Sequence, residues 1–333
     1  MKTKPQLQAG KSKRGNFFAV GKQQWDAVCK LGMNPAVAFL VLARGTGADN
    51  ATTAWSAQAV FEYTEIAWRR AKVTIETLCD EGLVTCTASG KRPRYKLVKP
   101  ESMDDLIWLP NEIITGAADE VPPIKRIRQT QEIEVLQLFV ELYGEHELTA
   151  DGGLPRTLLY EHFERKKILD MSQYTVYGFD EPDHRYCRFT GPLARFEGRR
   201  EEGEPTVWDR IKVLEQLGLL ERIYYLAEST DDDAELIHPL SGDEWAQKVA
   251  DAAHELAENR LPYQYEHEAQ NYDYVLPVIR HMGKAAVVGL ARLRYRPKTS
   301  RTAAWWGQHV ESCRAATELY SAIANRDSIR AVG

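Results

Sequence analysis

The chain has 333 residues, 44% of them hydrophobic, and a formal net charge of -5. This length allows two or three domains with substantial cores, and the charge excludes a protein that coats nucleic acid without regard to sequence; a nucleic-acid binder with this balance must segregate its charge. The 5 cysteines are odd in number and none has CxxC spacing, which argues against a disulfide scaffold or zinc ribbon and for a reducing cytoplasm.

Residues 1–16 carry Lys2, Lys4, Lys11, Lys13 and Arg14 without an acid. This is the composition of a disordered basic arm, which adds non-specific phosphate attraction or is simply an untethered terminus. A short apolar segment from Phe17 leads into two helical patterns. The first holds Trp25, Val28, Cys29 and Leu31; the second starts at Asn34-Pro35 and is apolar nearly all round, as a buried support helix would be. Gly45 to Thr53 reads as a loop.

The stretch Trp55 to Val98 carries the most information. Ser56 is positioned to cap a short helix, Gln58 to Tyr63, whose N-terminus can face a phosphate. Thr64 is positioned to cap a second helix, in which Trp68, Ala71, Ile75, Leu78 and Cys79 recur at spacings of three and four and form one buried stripe. Gly82 stops that helix. Arg69, Val73, Glu76 and Asp80 point away from the stripe, with Arg70 and Lys72 on its flanks. Leu83 to Thr87 and Arg94 to Val98 read as strands around a basic turn, so that Lys91, Arg92, Arg94 and Lys96 concentrate positive charge. Helix, tight turn, helix and basic hairpin in this order resemble the winged helix-turn-helix superfamily. The resemblance implies duplex DNA as partner: Arg69 on guanine, Val73 on a thymine methyl, Arg70 and Lys72 on phosphates, and the four hairpin cations on the backbone or minor groove.

Pro100 to Asp105 reads as a linker. Ile107 to Ile114, a short strand ending in Pro-Asn, resembles the entry to winged-helix domains of plasmid and phage replication initiators. Gln131 to Tyr143 is strongly amphipathic, and a further helix is expected from Pro155 to about Leu169. Tyr174–Phe179 and Arg185–Phe189 read as a hairpin turning at Asp180-Glu181-Pro182-Asp183. Thr206 caps a helix from Val207 to Leu217, Gly218 ends it, and Glu221–Leu226 with Glu235–Pro239 forms a second hairpin. The match of Leu217-Gly218-Leu219-Leu220 to Glu81-Gly82-Leu83-Val84 suggests a diverged repeat. Its hairpin tip, Glu228 to Asp233, is acidic and its helix offers only Arg210 and Lys212, so this copy reads as an interaction or dimerisation domain, or as a structural spacer. Arg199-Arg200-Glu201-Glu202 reads as a solvated turn.

Ser241 is expected to cap a helix to Asn259, with Glu244 completing a capping box. Tyr274 to Val310 holds no acid, while Arg280, Lys284, Arg292, Arg294, Arg296, Lys298 and Arg301 lie among Tyr295, Trp305 and Trp306. Arginines among aromatics suit nucleic acid; docking onto an acidic protein surface suits them equally. Arg292, Arg294, Arg296, Lys298 and Arg301 are therefore the candidates for a second nucleic-acid or partner surface. A helix from about His309 to Asn325 closes the chain.

No constellation supports catalysis, and no cofactor or metal is expected. Gly283-Lys284 lacks a phosphate-loop pattern, HExxH and Gly-x-Ser-x-Gly are absent, and His162 and His267 stand singly between acids. Tyr174 and Tyr177 lack the His-rich metal motif of a nicking enzyme. The expected fold class is mainly α with small β-wings: a basic arm (1–16), a DNA-binding winged helix (17–100), a second winged helix for interaction (101–240) and a C-terminal helical region (241–333). With no secretory signal and no apolar run long enough for a bilayer, a cytoplasmic, nucleoid-associated protein is expected. The resemblance implies a sequence-specific duplex-DNA binder of a mobile element, a replication initiator or regulator that associates with itself or with another protein. Two other readings stay open: a MarR-like transcriptional repressor, and a non-enzymatic interaction subunit of a phage or defence complex.

Overall fold

The structure, a computed structural model, describes residues 16–331 apart from 101, 118–119, 149–151, 181–184 and 199–203. The basic arm up to residue 15, most of the turn at Asp180 to Asp183 and the turn at Arg199 to Glu202 lie outside the described residues. The chain divides into two compact units. One comprises residues 1–144, 210–219 and 295–300, the other residues 145–209, 220–294 and 301–333.

In the first unit, strand β1 (Phe17–Gly21) is followed by α1 (Lys22–Cys29) and α2 (Met33–Arg44), which turns at Gly32 with φ +97°. All residues of α2 from Ala36 to Ala43 are buried, so α2 is the post around which the unit packs. Strand β2 (Thr52–Thr53), α3 (Ala57–Thr64), α4 (Trp68–Asp80), β3 (Val84–Ala88) and β4 (Arg94–Leu97) come next, and the three strands form one antiparallel sheet in the order β2-β4-β3. Strand β5 (Leu106–Pro110) pairs antiparallel with β1 along its whole length, Phe17 opposite Pro110 and Gly21 opposite Leu106. The strand expected to open a second domain therefore closes the first. Three helices complete the run: α5 (Glu112–Thr115), α6 (Pro123–Thr130) and α7 (Ile133–Leu142).

The second unit overturns the mainly-α expectation. Pro155 to Leu169 is not a helix: β6 (Leu159–His162) and β7 (Glu164–Asp170) occupy it. Strands β8 (Tyr174–Asp180) and β9 (Arg185–Cys187) do not pair as a hairpin, because β8 lies between β7 and β12 (Tyr274–Ile279), while β9 pairs with β6. After α8 (Val207–Gln216), β10 (Leu220–Ala227) pairs with β11 (Leu236–Pro239), as the hairpin pattern suggests, and also with β13 (Ala286–Leu293) over eight residue pairs. The result is a five-stranded sheet, β11-β10-β13-β6-β9, and a three-stranded sheet, β12-β8-β7. With the two sheets of the first unit, 13 strands lie in four antiparallel sheets among the described residues, so the class is α+β. The expected second winged helix is replaced by this sheet arrangement, and the C-terminal region expected to be helical supplies β12 and β13 beside α9 (Glu244–Glu258), α10 (Tyr263–Ala269) and α11 (Ser300–Ala331).

The core of this unit joins Val176 and Phe179 of β8, Leu276 and Val278 of β12, Val287 of β13, Val249 and Leu256 of α9, and Cys313 and Tyr320 of α11. Thr206 caps α8 reciprocally with Asp209: Thr206 Oγ1 accepts from Asp209 N–H at 3.3 Å, and Asp209 accepts from Thr206 N–H at 2.7 Å. The cap of α9 is Asp243, not Ser241. Its carboxylate accepts from Trp245 N–H and Ala246 N–H, whereas Ser241 Oγ accepts from Tyr224 N–H in the sheet. Among the described residues, no helix is long and apolar enough to cross a membrane.

Candidate nucleic-acid interface

The first unit places α3, a turn, α4 and the β3–β4 hairpin consecutively, and the turn is built without an N-cap on α4. Thr64 ends α3 rather than starting α4. Its hydroxyl donates to Val60 O at 2.5 Å and accepts from Ile66 N–H at 3.2 Å. Glu65 then takes φ +60°, and α4 begins after Ala67 with no side-chain cap. A left-handed non-glycine residue is uncommon and persists where its surroundings hold it. Here α6 does so: Lys125 Nζ pairs with the Glu65 carboxylate at 2.5 Å, and Arg128 Nε donates to Thr64 O at 2.9 Å. The entry to α3 is likewise fixed by rings. Trp55 stacks on Tyr63 with centroids 5.0 Å apart, and Arg44 lies over Trp55 at 5.5 Å. Burial holds the Arg44 guanidinium below its ordinary value.

Along α4 the buried side consists of Ala71, Thr74, Ile75 and Leu78. Trp68, expected on that stripe, is 50% exposed, and Cys79 is half-buried; the stripe is narrower than the apolar spacing implies, and the polar Thr74 fills the place. Arg69, Arg70, Lys72 and Val73 are exposed, Val73 to 59%. Lys72 reaches Glu76 at 3.8 Å on the same helix. The side chains of Arg69 and Arg70 make no ion pair or hydrogen bond among the described residues, and neither do those of Lys91, Arg92, Arg94 and Lys96, all exposed. Ser56 is extended, φ -143°, but its hydroxyl forms no cap bond to α3.

Strand alternation sorts the hairpin cations. Cys86 faces Tyr95, and Thr85 faces Lys96. Directly opposite residues share a face of the sheet and neighbours take the other. Tyr95 and Cys86 line an open groove of about 710 Å³ with Ser56, Trp68, Lys72 and Lys91. Lys96 takes the other face of the hairpin. The structure thus brings Ser56, Lys72 and Lys91 to one groove, sets Arg69 and Val73 on the outward side of α4, and separates Lys96 from both. Sequence reading missed Trp68, Tyr95, Cys79 and Cys86 as groove residues. The period-two match of Cys86 to Tyr95 across the turn is the signal that finds two of them.

The residues of the second candidate surface differ in their surroundings. Arg292 is 3% exposed, lies over the Trp305 ring at 5.5 Å and has Glu221 at 3.8 Å; a side chain so enclosed cannot meet a duplex. Lys298 pairs with Glu112 at 2.7 Å, and Arg296 is half-buried. Arg294 and Arg301 are exposed, but they fall in the second unit while Arg296 and Lys298 fall in the first. The acidic hairpin tip is engaged within its own unit: Arg188 pairs with Asp232 at 2.9 Å, and Arg156 donates to Asp231 O at 3.4 Å and to Ala234 O. Arg210 is buried against Glu134.

Among the described residues, no group of three or more His, Cys, Asp or Glu side chains could hold a metal ion. Comparison with protein-family models, with curated proteins and with solved structures finds no match to this chain.

Proposed function

We propose that the first unit is a winged helix-turn-helix module, and that the chain binds duplex DNA sequence-specifically through α4 and the β3–β4 wing. One observation carries this reading: Arg69 and Arg70 of α4 and the four cations of the wing stand exposed with their side chains unengaged among the described residues, while the basic segment near the C-terminus is divided between the units and Arg292 and Lys298 are already paired. Exposed cations held by a rigid helix and hairpin attract phosphates by releasing condensed counterions. Arg69, directed outward near the start of α4, is placed for the paired acceptors of guanine, and Val73 one turn on for a thymine methyl. Glu76 and Asp80 line the groove further along α4. They repel phosphates, which confines close approach to the N-terminal half of α4 and the wing. The proposal assigns no catalytic step. Its narrower form is an initiator of replication or a regulator of a mobile element.

The test is selection from a random duplex library, followed by gel-shift titration on the consensus. Arg69→Ala with Lys91→Ala is expected to weaken binding at least about tenfold, the scale of one bidentate base contact with a phosphate contact added. Undiminished affinity in the double variant overturns the reading. Maintenance of a plasmid carrying the selected site, in a host without another initiator, separates initiator from regulator.

A further inference from the structure

The groove between α4 and the wing contains two thiols. Cys79 is in the last turn of α4 and half-buried; Cys86 stands on β3 and is exposed. The chain between them is held tightly. Gly82, at φ +70°, donates to Cys79 O at 3.0 Å, and Leu83 N–H donates to Leu78 O at 3.0 Å. Cys86 Sγ lies 3.4 Å from Ala88 O, and the pairing register of β3 shifts between these two residues. A bulge of this kind is where a strand bends most readily. Burial raises the Cys79 thiol above its ordinary value, and the Cys86 thiol acts on it in the same direction. The remaining cysteines differ: Cys29 and Cys313 are buried and Cys187 is half-buried, each on another element.

We propose that Cys79 and Cys86 form a reversible disulfide on exposure to a peroxide, and that this bond closes the groove against duplex DNA. The second half rests on the DNA-binding reading; the first does not. Cys86 is the thiol a solvent-borne oxidant reaches. Its sulfur attacks one peroxide oxygen, so that an S–O bond forms and the O–O bond breaks; the departing oxygen takes the thiol proton and leaves as water or alcohol. Cys79 then attacks the Cys86 sulfenic sulfur, the S–S bond forms, and hydroxide leaves as water with the Cys79 proton. Two thiols give up two electrons and two protons, and the peroxide accepts them. An added dithiol reverses the step by exchange. The bond ties the middle of β3 to the end of α4, narrowing the space between Lys72 and Lys91.

Glu81 lies between the two cysteines, which gives a direct assay. The full chain is treated with hydrogen peroxide, alkylated, and cut by a glutamyl endopeptidase without reductant. The fragments on either side of Glu81 are expected to stay joined through Cys79 and Cys86, with the mass of two hydrogens lost, and to separate after dithiothreitol. Duplex affinity of the oxidised chain is expected to fall at least about tenfold, the scale of a lost base contact, and to return on reduction. Cys86→Ser is expected to abolish both the joining and the effect of peroxide on affinity. Fragments that separate without reductant overturn the proposal, and so does a joined pair with unchanged affinity. If the reduced chain binds no duplex, the DNA reading fails, while the mass assay still decides the disulfide.

Discussion

His238 shows how a single buried side chain couples this fold to pH. It sits on β11 with its ring enclosed, Nε2 2.9 Å from the Tyr320 hydroxyl on α11 and Nδ1 facing Pro239 O at 3.4 Å. The imidazole therefore donates from Nδ1 and accepts at Nε2, and it is neutral. Burial lowers its pKa from 6.5 to about 4. The unfolded chain takes up a proton near pH 6.5, whereas the folded chain resists until about pH 4. Between these values the unfolded state binds more protons, so stability is full above the upper limit and falls as pH drops toward the lower. The loss from this one group amounts to at most about 3 kcal/mol. His238→Gln keeps an acceptor for Tyr320 but does not titrate. Urea midpoints measured at several pH values between 4 and 7 are expected to fall more steeply in the parent chain than in the variant. Parallel curves for the two proteins would remove His238 as the cause.

At the scale of elements, the wing makes the sharpest distinction among residues of one charge. Lys91 borders the groove and Lys96 lies on the other face of the hairpin. Counterion release makes the slope of log affinity against log salt a count of phosphates engaged, with about 0.9 contributed by each. Lys91→Ala is expected to reduce that slope by about one contact, and Lys96→Ala to leave it unchanged. Equal slopes for the two variants would place the duplex on a different face. The same strands explain what was legible in the sequence. The α3–α4–wing order shows in local signals: Gly82, the three-and-four spacing of α4 and the turn at Ser89-Gly90. The strands β6 and β7 do not show. Glu161 stands at an inward position of β6, 2% exposed, where alternation calls for an apolar residue. Its charge is balanced by Arg185 and Arg222, which approach from β9 and β10. A buried carboxylate is tolerated only when paired, and partners so distant in sequence leave no local trace. Leu159 and Phe163 meanwhile keep the four-residue spacing of a helix. Thr64 fails for a related reason: a threonine before a helix resembles a cap, but the αL turn at Glu65 is fixed by α6, sixty residues further on.

For the molecule as a whole, the first unit is discontinuous in sequence, and this sets a limit on cutting it out. Residues 1–144 are joined by 210–219 and 295–300. Arg126 donates to Leu217 O at 2.5 Å and to the Tyr295 hydroxyl at 2.8 Å, the buried Tyr143 hydroxyl donates to Tyr295 O, and Glu134 pairs with Arg210. Removing one partner of a buried hydrogen bond costs about 1–3 kcal/mol, a large fraction of a domain's stability. A chain ending at Gly144 retains α2, α3 and α4 with their mutual packing, but α6 and α7 lose these anchors. Hydrogen exchange is therefore expected to show lower protection of the α6 and α7 amides than in the full chain, with smaller change along α2. Because Lys125 and Arg128 of α6 hold the turn between α3 and α4, the truncated chain is also expected to bind the selected duplex more weakly, though no proposed contact residue has been removed. Full protection of α6 and α7 after truncation would show that residues 1–144 suffice, and the turn would then owe nothing to the distant segments.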